Sequence, residues 1–415
     1  MEIKIENQKP VVAIVNAVSV GAWVSNEMAE HFDLIHIESD RAINVLSNPS
    51  FNKHRYKAFY RWSNGLEDEN LRQIATHNPI AVIPGRECAV ALSEWIAWEL
   101  SLEGNDPATT ALRRNKFLMN QAVELAGLRT TKQFLSHDAE ELKNWFKQYG
   151  EGKVVVKPPD SGGSDDVYIC TSESDVEEAT LKITGKQNCL HSHNDNALIQ
   201  RFIEGTEFVV NTVSLGGKHK VTDVWKVSKK LIAGRNLYDF DELCDPCSLD
   251  TTRAIEYTLK VLDAVGIVKG AGHTELILAE DGATLLEIGA RVSGAANPKA
   301  IRLATGSDQL ELMRFAYTRP DLFDLAVEQY TQSTLLRCIH SIASQRKPFS
   351  HDEFKGFLNT LPGFVSVIMK IANDTLLSPT IDVTSCPAAF FITGDNKDDI
   401  QNSYELYRKW ESENL

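Results

Sequence analysis

The chain has 415 residues, 43% of them hydrophobic and 24% charged, and a formal net charge of −14. This length exceeds one ordinary core and predicts two or three packed domains, while the balance of apolar and charged residues excludes a disordered chain. The acidity, with no basic block to offset it, excludes a nucleic-acid partner, and no apolar run is long enough to span a bilayer. The N-terminus, Met1-Glu2-Ile3-Lys4, lacks the basic flank and apolar core of a signal peptide, so the expected compartment is the cytoplasm. The seven scattered cysteines suit that compartment. Cys244 and Cys247 have metal-ligand spacing but no second pair, and Cys189, His191 and His193 alternate in a polar loop, so neither group reads as a zinc site.

The first hundred residues alternate strands and helices. "VVAIVNAVSVGAWVSNEMAEHF" reads as strand, loop and helix, "DLIHIESD" as the next strand, and "PIAVIPGRECAVALSEWIAWEL" as strand, Pro84-Gly85 turn and helix. Such units build a parallel sheet with helices on its faces. GxGxxG is absent, so a dinucleotide fingerprint is not supported. "EGNDPATTALRR" is a connector with Asp106 before Pro107, and "NKFLMNQAVELAGLRT" is a helix that stops at Gly127. The strand Val154-Val155-Val156 then delivers Lys157 to a loop of small residues, Ser161-Gly162-Gly163-Ser164. A helix, "SESDVEEATLKI", and two or three strands around Gly216-Gly217 follow. "DTTRAIEYTLKVLDAVG" is a long helix, "AGHTELILAEDGATLLEIGAR" a strand pair, and the part from about Glu328 a smaller, strand-rich appendage.

Two stretches can carry chemistry. In the Lys157 loop, small residues let backbone N–H groups approach phosphate oxygens, and the ammonium adds charge. The same stretch also fits a surface hairpin with a solvated lysine. GxxxxGK[ST] occurs nowhere, so a P-loop is excluded. In the strand pair, Glu275 begins one strand and Glu287 ends the next, so an antiparallel turn at Glu280-Asp281-Gly282 brings their carboxylates together. Two such carboxylates suit a hard cation that bridges phosphates, and Arg291 stands where a cation could steady a transferring phosphoryl group. Taken alone, the pair fits edge-strand glutamates with an exposed arginine better.

Lys116, Lys157 with its loop, "QRFIEGTE" and "TELILAEDGATLLEIGAR" occur in the order found in the ATP-grasp superfamily, and the resemblance runs from about Gly85 to Pro298. Within that superfamily the chain most resembles the L-amino acid ligases, carboxylate–amine ligases that make dipeptides. The resemblance implies an α/β chain with an ATP-grasp fold. Its parts would be an N-terminal parallel α/β domain (1–107), an α+β ATP-grasp domain (108–325) with a mobile lid at about 140–205, and a C-terminal mixed β-rich subdomain (326–415). It implies ATP as cofactor with Mg2+, or Mn2+ in its place, and amino acids as small-molecule substrates; a homodimer is compatible with it.

By position, the resemblance assigns Lys116 and Lys157 to ATP phosphates and Gly162, Gly163 and Ser164 to the closing loop. Gln200, Arg201, Phe202 and Ile203 would form the adenine hinge through the backbone of Arg201 and Ile203. Glu207 would hold the ribose, Glu275 and Glu287 the magnesium, and Arg291 the acyl phosphate. Two positions depart from the pattern: Gln200 replaces the usual hinge glutamate, and Gly289 stands where many relatives place a ligating Asn. Glu87 is the candidate reader of a substrate amino group, or else a first-turn helix acid. His273, on the strand face of Glu275, is a candidate for the substrate carboxyl or a plain buried histidine. Ser293, Gly294 and Ala295 leave room for a substrate side chain or serve tight backbone packing. Lys226, Lys229 and Arg235 read as a solvated basic stretch, with a substrate or phosphate role as the alternative. The expected reaction joins two amino acids through an acyl phosphate, in the manner of dipeptide or antibiotic biosynthesis. A biotin-carboxylase-like or purine-pathway ATP-grasp enzyme, and a non-catalytic nucleotide-binding module, are the rival readings.

Overall fold

A computed structural model describes residues 9–39, 45, 48, 50–63, 67–232, 235–295, 297–383 and 385–415. The N-terminal segment, Ala296 and the side chain of Arg235 lie outside the described residues. The N-terminal part holds β1 (Val11–Val15), α1 (Val20–Ala29), β2 (Asp33–Glu38), β3 (Tyr56–Arg61), α2 (Glu67–Ala75), β4 (Pro79–Pro84) and α3 (Val90–Glu99). Its sheet is parallel, in the order β3-β2-β1-β4. β1 is apolar throughout because both its faces are covered: Val12 and Ile14 join one buried cluster, Ala13 and Val15 another. The loops leaving β1 and β4 touch. A Cβ on Gly85 would lie 2.5 Å from the Asn16 carbonyl oxygen, so only glycine allows this approach. The contact lies at the carboxyl ends of the strands, where open α/β sheets hold ligands.

Asp106 caps a short 3-10 turn over 107–113 by accepting from Ala108 N–H at 2.9 Å. Arg113 in that turn is fully buried. It donates to both Glu94 oxygens, on α3, at 2.9 and 2.8 Å, and to the Val265 carbonyl at 2.8 Å. One guanidinium thus ties the N-terminal domain to the body of the protein. α4 (Lys116–Leu125) begins with Asn115 capping Phe117 and Leu118 and ends before Gly127, whose φ of 75° makes the left-handed stop that glycine favours.

The next unit is a small antiparallel sheet built from β5 (Gln133–Ser136), β6 (Val154–Lys157), β7 (Tyr168–Cys170) and β8 (Ala197–Arg201), ordered β5-β8-β6-β7. α5 (Ala139–Tyr149) and α6 (Glu173–Ile183) pack on it through Leu142, Trp145, Val154, Val156, Val176 and Ile199. This unit spans 133–201.

The remainder is dominated by one eight-stranded antiparallel sheet. In chain order it comprises β9 (Thr206–Leu215), β10 (Lys218–Ile232), β11 (Arg235–Leu243), α7 (Leu249–Ala264), β12 (Lys269–Ala279) and β13 (Gly282–Gly289). Three helices follow, α8 (Pro298–Thr305), α9 (Gln309–Thr318) and α10 (Pro320–Leu325). Then come β14 (Leu335–His340), α11 (His351–Leu358), β15 (Phe364–Met369), β16 (Ala388–Gly394) and α12 (Lys397–Asn414). The strand order is β13-β12-β9-β10-β11-β14-β16-β15. β11 pairs with β14, so the last ninety residues extend the sheet that carries Glu275 and Glu287 and do not form a sheet of their own. Among the described residues no helix is long and apolar enough to cross a membrane.

Candidate active site

β12 starts six residues earlier than expected, at Lys269, so Glu275 lies inside the strand and not at its beginning. The expected juxtaposition still forms, because Glu275 is the direct antiparallel partner of Glu287 on β13. Both line a cavity of about 230 Å³ together with His273, Arg291, Ser293, Gly294 and Ala295, and Gly163 of the small-residue loop closes over it. Ser164 next to it hydrogen-bonds Tyr238 of β11, which fastens the loop across the cavity mouth.

Lys116 at the first turn of α4 reaches the same carboxylates. Its Nζ lies 2.7 Å from Glu287 Oε2 and donates to the Ser161 carbonyl at 2.6 Å. Burial would raise the Glu287 carboxyl, but Lys116, Lys157 and Arg291 overrule it and hold it down at about 2. Lys157 ends β6 and is equally buried; desolvation first, and Lys116 second, bring its ammonium down to about 8. Two buried ammonium groups beside ionised carboxylates form a site that wants both anionic phosphate and a cation. Glu275 and Glu287, facing each other across a ladder and open to the cavity, fit a divalent ion.

His273 is buried, and its Nδ1–H donates to Asn211 Oδ1 at 2.8 Å, which turns Nε2 toward Glu275 at 3.3 Å. Asn211 in turn donates to Asp223, which also accepts from Trp225 Nε1. The chain Asp223–Asn211–His273–Glu275 orients the imidazole at the cavity wall. Arg291 Nε donates to Glu87 Oε2 at 2.9 Å, and Arg114 Nη1 donates to Glu87 Oε1 at 2.5 Å. Burial would raise the Glu87 carboxyl, but the two arginines more than offset this and keep it below its ordinary range. A Cβ at Gly289 would lie 2.6 Å from Glu87 Oε2, so Glu87 fills the place a side chain at 289 would take.

The hinge residues stand apart from the cavity lining. Gln200 is buried on β8 and donates to Gln133 Oε1 at 3.0 Å. The Arg201 N–H goes to the Lys132 carbonyl and its own carbonyl accepts from the Thr131 hydroxyl, so the sheet already uses part of the hinge backbone expected for adenine. Lys153 lies 3.6 Å from the centre of the Phe202 ring, just before Ile203. Glu207 on β9 is paired with Lys229 at 2.6 Å. Lys229 is exposed yet reaches the site: alternation on β10 puts it on the face of Trp225 and Val227, and the extra residue Asp239 on β11 brings the Tyr238 ring beneath it. Lys226 remains exposed as expected.

Four groups that the sequence did not single out also line the cavity: Asp241, Cys338, His340 and Lys370. Asp241, Cys338 and His340 bring a carboxylate oxygen, a thiol and an imidazole nitrogen within 4.8 Å of one another. All seven cysteines are free.

The family model of the ATP-grasp domain matches residues 150–299. Over 256 residues the chain is 33% identical to dapdiamide A synthase of Enterobacter agglomerans, a match covering 61% of this chain and 60% of that protein. It is 26% identical over 137 residues to D-alanine–D-alanine ligase of Halalkalibacterium halodurans, covering 33% and 41% of the two chains. The match thus spans less than two thirds of either curated relative. The solved structure of L-amino acid ligase from Bacillus licheniformis superposes with a TM-score of 0.76 at 17% identity, covering 97% of this chain and 98% of that one. Residues 150–299 thus match the ATP-grasp domain, and the chain shares its fold with the solved L-amino acid ligase.

Proposed function

We propose that this protein is an ATP-dependent carboxylate–amine ligase that joins the carboxylate of one amino acid to the amine of another. The observation that carries the reading is the single cavity shared by Glu275, Glu287, His273 and Arg291 and covered by Gly163, with Lys116 bonded to Glu287 behind it. A carboxylate is a poor acyl donor because oxide leaves badly. In the proposed reaction a carboxylate oxygen attacks the γ-phosphorus of ATP, and the bond to ADP breaks. The amine nitrogen then attacks the acyl carbon, inorganic phosphate departs with the C–O electron pair, and the amine releases a proton to solvent.

In this reading Lys116, Lys157 and the backbone of Gly162, Gly163 and Ser164 hold the phosphates. Gln200 to Ile203 receive the adenine and Glu207 the ribose. Glu275 and Glu287 would hold magnesium, which when bound offsets the charge of the phosphates. Arg291 steadies the acyl phosphate, His273 orients the reacting carboxylate, and Glu87 with its two arginines reads the amino group. Ser293, Gly294 and Ala295 leave space for the donor side chain. The 133–201 unit, carrying the loop, acts as the lid that keeps water from the intermediate. The relatives, two ligases and a synthase, support the reading.

The test is release of ADP and phosphate across pairs of amino acids, with hydroxylamine added in parallel to trap an acyl phosphate as a hydroxamate. Amide product and hydroxamate formed in step with ADP are expected. Turnover that requires bicarbonate, or ATP binding with no ADP from any pair, refutes the proposal.

A further inference from the structure

Where three parts of the chain meet, one guanidinium is shared between two carboxylates. Arg114 ends the 3-10 turn before α4, Glu87 lies in the loop that follows β4, and Asp160 opens the small-residue loop that follows β6. Arg114 Nη1 donates to Glu87 Oε1 at 2.5 Å and to the Glu87 carbonyl at 2.9 Å. Its other terminal nitrogen, Nη2, donates to Asp160 Oδ1 at 2.6 Å. The second oxygen of Glu87 accepts from Arg291. Neither Asp160 nor its bond to Arg114 has a part in the reaction as proposed above.

The two halves of the fork are not equivalent. The Glu87 half is held twice, by side chain and by carbonyl, and the Glu87 side chain is 18% exposed. The Asp160 half rests on one bond, and its carboxylate is 31% exposed. The backbone around Asp160 is bonded on both sides. Its own carbonyl accepts from the Asn188 side chain at 2.5 Å, within the 133–201 unit. The Pro159 carbonyl accepts from Lys116 N–H at 2.8 Å, and the Ser161 carbonyl from Lys116 Nζ at 2.6 Å. A pull on Asp160 is therefore passed to Lys116 and to Gly162, the groups assigned to the phosphates.

The Arg114 side chain is 8% exposed, so water screens the attraction of its two partners poorly. A cation that settles on Glu87 offsets that carboxylate and repels the guanidinium, and the balance of the fork shifts toward Asp160. We infer that Arg114 and Asp160 are positioning residues that couple the amino-reading site to the phosphate loop, so that an ammonium on Glu87 draws the loop onto the nucleotide. The coupling is reciprocal: bound nucleotide tightens the hold on the amine by the same factor. The loop then closes fully over ATP only when an amine is present to use the acyl phosphate, which keeps water from it. The inference rests on the ligase reading, in which Glu87 receives an amino group.

Calorimetric titration with the magnesium complex of a non-hydrolysable ATP analogue reads the coupling without turnover. The probes are amino acids from pairs that release ADP from ATP, each added alone, with their N-acetyl forms, which lack the ammonium, as controls. In the wild type the amino acids should lower the Kd of the analogue about fivefold or more, and the N-acetyl forms should leave it unchanged. Deuterium exchange across residues 162–164 should slow with the amino acids and not with the controls. Asp160→Asn keeps an oxygen for Arg114 without the charge, and Arg114→Lys keeps the charge without the fork that spans two carboxylates. In each variant the gain should shrink to less than about twofold, with the thermal midpoint near wild type. A gain absent from the wild type, matched by the N-acetyl forms, or undiminished in either folded variant overturns the coupling while ADP release still supports the ligase reading. No ADP from any pair of amino acids overturns the ligase reading itself, and the coupling with it.

Discussion

The smallest perturbation with a large expected effect is Gly289→Ala. Gly289 has no unusual backbone angle, so alanine is resisted only by what its Cβ would meet: Glu87 Oε2 at 2.6 Å and Arg291 Nε at 3.4 Å. Ordinary contact needs roughly 3.4 Å or more, so the Glu87 carboxylate must retreat by about 0.8 Å. Glu87 cannot slide freely, because Arg114 grips both its side chain and its carbonyl, at 2.5 and 2.9 Å. The displacement therefore falls on the 2.9 Å bond to Arg291, which lengthens past hydrogen-bond range. A charge-assisted bond contributes about 1.5–3 kcal/mol, so kcat/KM should drop roughly 10- to 150-fold. Hydroxamate formation and phosphate release measure the loss, while ATP affinity by calorimetry and the thermal midpoint should stay near wild type. Glu87→Gln should fall by a comparable factor, and the double variant should lose much less than the product of the two. A folded Gly289→Ala enzyme with kcat/KM within threefold of wild type would show that the Glu87–Arg291 contact plays no part in turnover.

Three further outcomes follow from other contacts in the structure. Glu94→Gln weakens the partner of a fully buried guanidinium and should cost about 3–5 kcal/mol in urea unfolding; a cost under 1 kcal/mol refutes the tie between the domains. Glu275→Gln should cut turnover at least 100-fold at saturating ATP and weaken Mn2+ binding measured by electron paramagnetic resonance in the presence of ATP, with the fold intact; an unaltered Mn2+ signal would give Glu275 a purely structural part. His36 is buried among Phe51, Tyr56 and Phe59, accepts from Ala17 N–H, and is pushed by burial down to about 3. Its folded pKa lies below the unfolded value of about 6.5, so its contribution is complete above pH 6.5 and is lost as pH falls toward 3. Stability should decline by up to about 1.4 kcal/mol per pH unit over that window, and His36→Phe should flatten the decline; identical slopes in the two proteins would refute the assignment.

The features that were legible in the sequence are those carried by local pattern. The turn at Glu280-Asp281-Gly282 with strand alternation on both sides suffices to bring Glu275 and Glu287 together, and they pair in register. Lys157 at the end of an apolar run was visible in the same way. The polar end of the cavity was not, because Asp241 and His340 are 99 residues apart and meet only through the pairing of β11 with β14. The partner of Lys229 was not legible locally, because Glu207 lies 22 residues upstream on β9. β3 was not picked out because "YKAFYR" is an edge strand, half-buried and exposed in turn, whose run of apolar residues is broken by Lys57. At Gly289 the sequence showed an absent ligand; what fills the space, Glu87, comes from 202 residues upstream and could not be read locally.

The eight-stranded sheet has a mechanical consequence. The glutamate pair and the Asp241–His340 wall are rungs of one hydrogen-bonded ladder, so the span between them is a ruler that closure of the 133–201 unit cannot stretch. In the proposed reaction, substrate length is then gauged against a fixed distance, separately from any movement of the 133–201 unit. On the proposed reading, side chains on β14, β15 and β16 can be exchanged without altering the residues assigned to the phosphates.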